Sequence, residues 1–417
     1  MTEHSKGHAA IIGAGVVGIC SAAFLQREGY RVTLVDAEEP GTMTSYGNAG
    51  AISAHSVTPM ALPGIWKKVP RWLLDPLGPL AVRLGYAPRA APWLIKFMKA
   101  AGDYETQAKA LADLHRPVRE AYLELTRDDA GANDLLKQTG ALAVYETEQA
   151  FAGDVLGREL SRSHGHRVEE LGPDELRQLE PALAPIFKKA TYFPDATHCI
   201  NPGKLCRRLA TMVFAAGGQH LKARVARFET GPDGVTALIT DQGARHEFDH
   251  FVIAAGAWSH QLSSDLGEPF PLESERGYHM VLPHPGVETS RPISFGERKF
   301  MCTNMEMGLR LAGTVEFAGL KAEPNWGRAE KLLTHASQIF RDVDTSDAQP
   351  WMGQRPATPD SLPVISRSKK HKNVVYGFGH GHLGLTGGAV TGKHVTALIA
   401  GRTPDIDLSP FSIARFA

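Results

Sequence analysis

Residues 8–36 read HAAIIGAGVVGICSAAFLQREGYRVTLVD. A short apolar run enters a glycine-rich turn, an amphipathic segment follows, and a second apolar run ends at Asp36. A strand, a glycine turn, a helix, a strand and an acid in this order predict a dinucleotide-binding βαβ unit.

Each glycine of this turn has a physical role. Gly13 permits the tight turn, Gly15 lets the backbone approach a pyrophosphate, and Gly18 lets the helix pack closely on the strand. The helix that begins around Val17 offers free N–H groups and a positive dipole end to phosphates. Asp36 can accept hydrogen bonds from a ribose hydroxyl. The alternative is a glycine-rich turn in an ordinary α/β domain.

The composition restricts the class of protein. The chain has 417 residues, 43% of them hydrophobic, which is long for one domain and predicts two interleaved domains with a sizeable core. A formal net charge of zero gives no indication of a nucleic-acid partner. The four cysteines contain no CxxC pair, which argues against a zinc site or any other metal site and against a disulfide framework.

The sequence contains no apolar run long enough for a transmembrane helix and no signal-peptide core before the first strand. We therefore expect a cytoplasmic protein, either free or held at the inner face of a membrane. Residues 61–100 are basic and carry Trp66, Trp72 and Trp93, so they are a candidate for peripheral membrane contact. The alternative is a solvated helical lid with a packed aromatic core.

The order of predicted elements indicates an α/β fold with an inserted second domain. Apolar runs predict a strand at 141–145 and antiparallel strands across 272–320, and Asn201 begins a predicted helix that ends near Ala216. The tail after residue 351 returns to the strand and helix pattern of the first unit. The nucleotide-binding domain is therefore expected to be discontinuous.

The tail also carries a resemblance. Residues 353–365, GQRPATPDSLPVI, and residues 379–386, GHGHLGLT, resemble the D-amino-acid dehydrogenase family of FAD enzymes, within the group of D-amino-acid oxidase and glycine oxidase. The loop at 45–50 (SYGNAG), the segment at 276–279 (RGYH) and the closing residues 412–416 resemble it too. The similarity extends over nearly the whole chain.

The resemblance implies FAD rather than NAD, and oxidation of a D-amino acid through an imine by hydride transfer to flavin N5, with a quinone or other carrier as electron acceptor. It implies a Rossmann-like FAD-binding domain and an inserted domain of antiparallel sheet and helices for the substrate. The expected FAD-binding segments are 1–56, 141–146, 198–262 and 351–417, and the expected substrate or cap segments are 57–140, 147–197 and 263–350.

The form His380-Gly-His382 is more similar to members of the family that act on cyclic D-imino acids, such as D-proline and cis-4-hydroxy-D-proline. This feature affects the substrate expected and leaves the reaction type unchanged. Neither the oligomeric state nor the preferred acceptor follows from the sequence.

Four side chains are the main candidates for the chemistry, and a fifth, Arg310, is a weaker one. Arg355 is expected to bind the substrate carboxylate, because a guanidinium fork holds and orients a carboxylate through two hydrogen bonds; a structural salt bridge is the alternative. Arg310 is the weaker candidate for the same role. His382 can take the ammonium proton or hydrogen-bond the substrate, and Tyr278 and His279 are expected near the flavin. A structural histidine is the alternative for each imidazole.

The remaining candidates would hold FAD. The loop of Ser45, Asn48, Ala49 and Gly50 is expected beside the flavin, and the backbone of Val225 beside adenine. The turn into the last helix would direct a helix N-terminus at the flavin. Because no histidine or cysteine adjoins the loop, FAD is expected to be non-covalent. Further residues assigned to the cofactor are Gly256, Gly381, His382, Leu383 and Gly384.

Two other functions remain open at this point. One is an oxygen-using oxidase of glycine, sarcosine or a similar amine. The other is a flavoprotein subunit of a hetero-oligomeric electron-transfer complex. A pyridine-nucleotide reductase is disfavoured, since the sequence shows neither a second GxGxxG nor a CxxC redox pair.

Overall fold

The computed structural model describes residues 6–64, 78 and 80–417. Its strands are β1 His8–Ile12, β2 Arg31–Asp36, β3 Ala51–Ile52, β4 Leu80–Val82, β5 Leu136–Gln138, β6 Ala141–Tyr145, β7 Glu169–Leu171, β8 Lys189–Phe193, β9 Thr197–Cys199, β10 Gln219–Lys222, β11 Val225–Gly231, β12 Gly234–Thr240, β13 Arg245–Glu247, β14 His250–Ile253, β15 Glu273–Leu282, β16 Ile293–Phe295, β17 Phe300–Met305, β18 Gly308–Phe317, β19 Gln349–Ala357, β20 Val364–Arg367 and β21 Val374–Phe378.

The α-helices of the described part are α1 Val16–Arg27, α2 Ala87–Ala100, α3 Tyr104–His115, α4 Val118–Thr126, α5 Ala130–Asn133, α6 Glu148–Gly153, α7 Val155–Ser163, α8 Pro173–Leu179, α9 Pro202–Ala215, α10 Ser259–Asp265, α11 Gly327–Ile339 and α12 Gly384–Ile399. None of these helices is long and apolar enough to cross a membrane.

The first sheet has the strand order β10-β2-β1-β14-β21-β20. Its neighbours are parallel except for the antiparallel pair β20 and β21. The predicted βαβ unit is confirmed as β1, α1 and β2, and the tail supplies β20, β21 and α12 to the same sheet region. A Cβ on Gly392 of α12 would lie 2.8 Å from the backbone of Cys20 in α1, so the glycine lets the two helices pack closely.

The second sheet has nine strands, in the order β19-β15-β18-β17-β16-β6-β8-β7, with β4 paired to β18. Most pairs are antiparallel, whereas β16–β6 and β18–β4 are parallel. One face is covered by α11, whose Ala329, Leu332 and Ile339 are buried against it. The predicted α/β fold with a second, largely antiparallel sheet is confirmed.

Two predicted domain assignments are wrong. Residues 141–146 were expected in the FAD-binding domain, but β6 pairs with β8 and with β16 in the second sheet. Residues 351–357 belong to β19 in the same second sheet. An apolar strand has the same pattern in either sheet, and its partner is decided by long-range pairings that no local pattern records.

Local structure also differs in two places. Apolar residues at three- and four-residue spacing over 104–138 predict one long helix or a helix pair. The structure instead divides this segment into α3, α4 and α5, followed by the strand β5, with a break at Pro117, where proline cannot donate an N–H. In addition, α3 and α4 pack in the core of the first sheet, through Leu111, Leu114 and Tyr122, although 57–140 was assigned to the cap. The sequence also predicts one strand over 219–229, but the structure divides this segment between two sheets, as β10 and β11.

Candidate active site

One large cavity lies where the two sheets meet. Its volume is about 1970 Å³, whereas ordinary ligand pockets have about 300–1,000 Å³, so it has room for a large cofactor together with a substrate. The predicted residues that line it are Gly13, Gly15, Val17, Asp36, Ser45, Asn48, Ala49, Val225, Gly256, Tyr278, His279, Arg355, Gly381, His382, Leu383 and Gly384.

The glycine turn forms the first wall. Gly13 has φ +109° and a Cβ there would lie 2.3 Å from the carbonyl oxygen of Ala254. A Cβ on Gly18 would lie 1.9 Å from the carbonyl oxygen of Gly13, so Gly18 serves helix packing, as the sequence predicts. The N–H of Ala14 donates to Asp36 Oδ2 at 2.7 Å, which holds this carboxylate beside the turn.

The loop at 45–50 forms the next wall and is tied to both domains. Ser45 Oγ accepts the N–H of Val16 at 2.9 Å, at the N-terminus of α1. Asn48 Oδ1 accepts the N–H of Gly50 at 2.8 Å, and a Cβ on Gly50 would lie 2.5 Å from the carbonyl oxygen of Cys199. Gly50 therefore shapes the loop rather than lining the cavity.

Arg310 anchors this loop from the second sheet. Its Nη1 donates to the carbonyl oxygens of Tyr46 at 2.9 Å and of Asn48 at 2.6 Å, and its side chain is fully buried. Burial lowers the pKa of Arg310 to about 10. Its use as a substrate-carboxylate ligand, the weaker sequence hypothesis, is not supported, because its Nη1 donors are already used by the loop.

Trp351 is a site residue that sequence reasoning missed. A Cβ on Gly47 or on Gly353 would lie 1.9 or 2.1 Å from atoms of its indole, so the ring lies against both glycines. The ring also stacks on His279, with centroids 4.8 Å apart and an angle of 16°. The two nearby glycines were visible in the sequence, but nothing local showed that one ring lies against both.

His279 supports the loop. Its Nδ1 donates to the carbonyl oxygen of Gly47 at 3.1 Å, which fixes the tautomer because a carbonyl only accepts. Burial, with a smaller contribution from Arg310, lowers the pKa of His279 to about 3, so the ring is neutral at ordinary pH. His279 therefore lies at the cavity, as predicted, with its ring nitrogen directed to the loop.

The hydroxyl of Tyr278 is held by two hydrogen bonds within the protein. Its hydroxyl donates to Glu316 Oε2 at 2.5 Å and accepts the N–H of Asn325 at 3.0 Å. The ring is buried in the core of the second sheet, and burial and Glu316 raise the pKa of its hydroxyl. Tyr278 lies on the cavity wall, where the sequence places it, while its hydroxyl is held by Glu316.

Arg355 lies directly opposite Glu275 across β15 and β19. Its Nη1 donates to Glu275 Oε1 at 2.8 Å and to the carbonyl oxygen of Thr314 at 3.1 Å. Its Nη2 makes one long contact of 3.5 Å with Gly313, and its Nε donates to no acceptor among the described residues. The guanidinium lies against Gly277, where a Cβ would approach Nη2 to 2.1 Å.

The turn before α12 forms the opposite wall. The imidazole of His382 opens into the cavity, and desolvation by the surrounding protein lowers its pKa. Glu275 opposes that effect and Arg355 adds to it, so both charges act on the ring. His380 differs, because its Nε2 hydrogen-bonds Thr391 Oγ1 at 2.8 Å and burial lowers its pKa to about 3.

The sequence that builds this cavity matches a known family. Residues 8–398 match the family model described as DAO, FAD dependent oxidoreductase. The chain belongs to this family. A D-amino-acid oxidase of Bradyrhizobium diazoefficiens is 42% identical over 98% of this chain and 99% of its own length. A D-amino acid dehydrogenase of Paramagnetospirillum magneticum is 31% identical over 97% and 98%.

Solved structures of the family share the fold. Glycine oxidase from Geobacillus kaustophilus superposes with a TM-score of 0.76 at 21% identity, over 99% of both chains. L-proline dehydrogenase from P. horikoshii superposes with a TM-score of 0.75 at 16% identity, over 99% and 98%. At these identities the similarity shows the fold alone.

FAD is the cofactor of this family, and the residues present fit it. Gly13 and Gly15 line the cavity directly before the N-terminus of α1, where a pyrophosphate can approach the backbone, and Asp36 lies beside that turn on the cavity wall. The N-terminus of α12, at Gly384, faces the cavity and can stabilise negative charge there. The chain is thus an FAD-dependent oxidoreductase.

Proposed function

We propose that this protein oxidises a D-amino acid, with Arg355 as the ligand of the substrate carboxylate. The observation that carries the proposal is the state of Arg355 on the cavity wall, where Nη1 is fully used and Nε and Nη2 retain free donors. A guanidinium edge with two free N–H groups suits one carboxylate. The names of the relatives, D-amino-acid oxidase and D-amino acid dehydrogenase, support the same substrate class.

The chain's own residues would position the substrate. When bound, FAD supplies the two-electron acceptor for hydride from the substrate Cα. Arg355 fixes the carboxylate and thereby the direction of Cα. His382, whose imidazole faces the cavity, can accept the proton that leaves the ammonium group. The product is an imine, which water converts to the 2-oxo acid or which remains as a ring.

We further propose a cyclic D-imino acid, of the D-proline or cis-4-hydroxy-D-proline type, as the preferred substrate, and a quinone or similar carrier as acceptor. The support for the ring preference is the His380-Gly-His382 turn, in which His380 is held by Thr391 and His382 is directed at the cavity. We also propose that FAD is bound without a covalent link.

A second candidate is an oxidase that passes electrons to oxygen. The name of the 42% identical relative favours it. An oxygen electrode separates the two functions, because an oxidase consumes oxygen and forms peroxide at the rate of substrate turnover, whereas a dehydrogenase requires an added acceptor.

The test of the proposed function is anaerobic reduction of the purified holoenzyme by a panel of amino acids. Bleaching of the flavin by D-proline and cis-4-hydroxy-D-proline, and not by their L-enantiomers, would support the full proposal. Bleaching by acyclic D-amino acids alone would retain the reaction and overturn the ring preference. A protein that stays yellow with every D-amino acid would overturn the proposal and favour a partner-dependent subunit.

Membrane contact through residues 61–100 remains part of the proposal, although residues 65–77 and 79 lie outside the described residues. The support is α2, which buries Trp93 against Phe317 and leaves Ile95 and Met98 half exposed beside Lys96 and Lys99. Flotation with anionic liposomes tests this contact: co-migration that added salt weakens is expected, and a protein that stays in the soluble fraction contradicts it.

A further inference from the structure

Glu275 is a buried carboxylate on the cavity wall that the proposed chemistry has not yet used. Glu275 lies on β15, beside the edge strand β19 of the second sheet, and only 7% of the residue is exposed. Its Oε1 accepts from Arg355 Nη1 at 2.8 Å, and its Oε2 accepts no hydrogen bond from a described residue. A charged carboxylate at such a position is costly unless all of its acceptors find a donor.

Arg355 does not need Glu275 to be held in place. The carbonyl oxygens of Thr314 and Gly313 also accept from the guanidinium, and Gly277 lets it lie flat against β15. A glutamate that served only as a brace would duplicate these contacts while carrying the cost of burial. The buried negative charge of Glu275 is therefore better explained by a ligand with a positively charged group.

The pair has the charge pattern of a zwitterion. In an α-amino acid the carboxylate and the ammonium group are attached to the same carbon. If the carboxylate binds the free N–H groups of Arg355, the ammonium group can lie near Glu275 Oε2. The dipole of the substrate zwitterion is then antiparallel to the dipole of the Arg355–Glu275 ion pair. Each of the four charges then has an opposite charge as its neighbour, and the reversed orientation would place like charges together.

We propose that Glu275 binds the ammonium group of the substrate, and so selects zwitterionic amino acids over other carboxylic acids. This inference rests on the proposed function, since it assigns a partner to the amine of the same substrate. Together Glu275 and Arg355 fix two of the four substituents of Cα, which orients the hydrogen that is removed.

The test compares ligands that differ only in the amine. The holoenzyme and its Glu275→Gln variant are titrated with D-alanine, by the substrate dependence of anaerobic flavin reduction, and with propionate, by calorimetry. A charge-assisted hydrogen bond is worth roughly tenfold to a hundredfold in affinity. The affinity of the variant for D-alanine should fall by that factor. Its affinity for propionate should equal or exceed that of the wild type. Glu306→Gln, which removes an ion pair with Lys204 outside the cavity, is the control and should change neither affinity.

If Glu275→Gln weakens the binding of D-alanine and of propionate equally, the proposal is overturned, because the result would show that Glu275 only orients Arg355. A loss confined to D-lysine and D-arginine would overturn it as well, by assigning the carboxylate to the substrate side chain. If Glu275→Gln fails to fold or to retain FAD, Glu275→Asp replaces it. The shorter carboxylate should weaken D-alanine and spare propionate, and loss of both would contradict the proposal.

Failure of the proposed function has a different signature. If no D-amino acid reduces the wild-type flavin, the function falls, and calorimetry with glycine and sarcosine against propionate still decides the role of Glu275. If the wild type binds glycine or sarcosine more tightly than propionate and Glu275→Gln removes this difference, Glu275 binds the ammonium group. If the wild type binds all three ligands equally, that role is overturned.

Discussion

Nη1 of Arg310 donates a hydrogen bond of 2.6 Å to the backbone carbonyl of Asn48. A cation in the second sheet thus fixes a loop that lines the first, and it does so from complete burial. The loop contributes Ser45, Asn48 and Ala49 to the cavity. The shape of this wall therefore depends on a side chain that lies outside the glycine motif.

We expect Arg310→Ala to weaken FAD binding at least tenfold, because a charged hydrogen bond is worth about 1.5–3 kcal/mol and two carbonyls lose their donor. Arg310→Lys keeps the charge and one donor and should have a smaller effect. Titration of the apoprotein with FAD, followed by fluorescence, measures both. Arg177→Ala, at an exposed surface pair with Asp174, is the control, and an Arg310→Ala protein with wild-type affinity would contradict the role of the loop anchor.

Gly277→Ala should raise the KM for the D-amino acid about tenfold while FAD content stays constant. The new methyl would lie 2.1 Å from Nη2 of Arg355, and relief of such overpacking by shifting the guanidinium costs about 1–3 kcal/mol. Steady-state kinetics on the holoenzyme give the result. The matched control is Gly102→Ala, where a Cβ meets nothing within 4 Å; an effect of equal size in both variants would refute the argument.

Gly18→Ala should yield a colourless, destabilised protein. Its Cβ would lie 1.9 Å from the carbonyl oxygen of Gly13, which is backbone and cannot swing away. The turn and the first part of α1 would have to separate, and the pyrophosphate site would open with them. The ratio of flavin to protein absorbance tests this, and a yellow Gly18→Ala variant with the wild-type melting temperature would speak against the packing role.

Acid should destabilise the protein early through its buried histidines, among them His115, His279 and His380. Burial lowers the pKa from 6.5 to about 4 for His115, and to about 3 for His279 and for His380. Between these values and 6.5 the unfolded chain binds more protons than the folded one, so stability rises with pH in this window and is lost as pH falls below about 6.5. Each group contributes up to about 1.4 kcal/mol per pH unit.

Urea unfolding of the holoenzyme between pH 7.5 and pH 5 measures this slope. His380→Gln removes one of these titrating groups, so the free energy of unfolding of the variant should depend less steeply on pH than that of the wild type. A slope that is unchanged by this substitution, or a protein equally stable across the range, would contradict the assignment.

The sequence predicted the parts of the site that depend on local spacing. The glycine turn and Asp36 lie where a βαβ unit places them. Arg355 and His382 lie on the cavity wall, as expected from the resemblance of their segments to the family. Residues whose role depends on distant pairing were missed. Glu275 becomes informative only through its register with Arg355, and Trp351 only through its contact with Gly47.

Two further features depend on long-range contacts in the same way. The hydroxyl of Tyr278 belongs to Glu316, 38 positions further along the chain, and β6 belongs to a sheet whose other strands come mostly after residue 189. Alternation of apolar residues predicts a strand but not its neighbours. Long-range hydrogen bonds decided both cases.

The loop at 45–50 is synthesised early, whereas several residues that hold it in place lie much later in the chain. Thr44 Oγ1 donates to the carbonyl oxygen of Gln354, 310 positions away, and strand β1 pairs with β14 only after residue 250 has been added. During synthesis the glycine turn therefore leaves the ribosome long before the residues that shape its surroundings. A nascent polypeptide that stops before β19 has the glycine motif but lacks the contacts that hold the loop, so uptake of the flavin is expected only after translation is nearly complete.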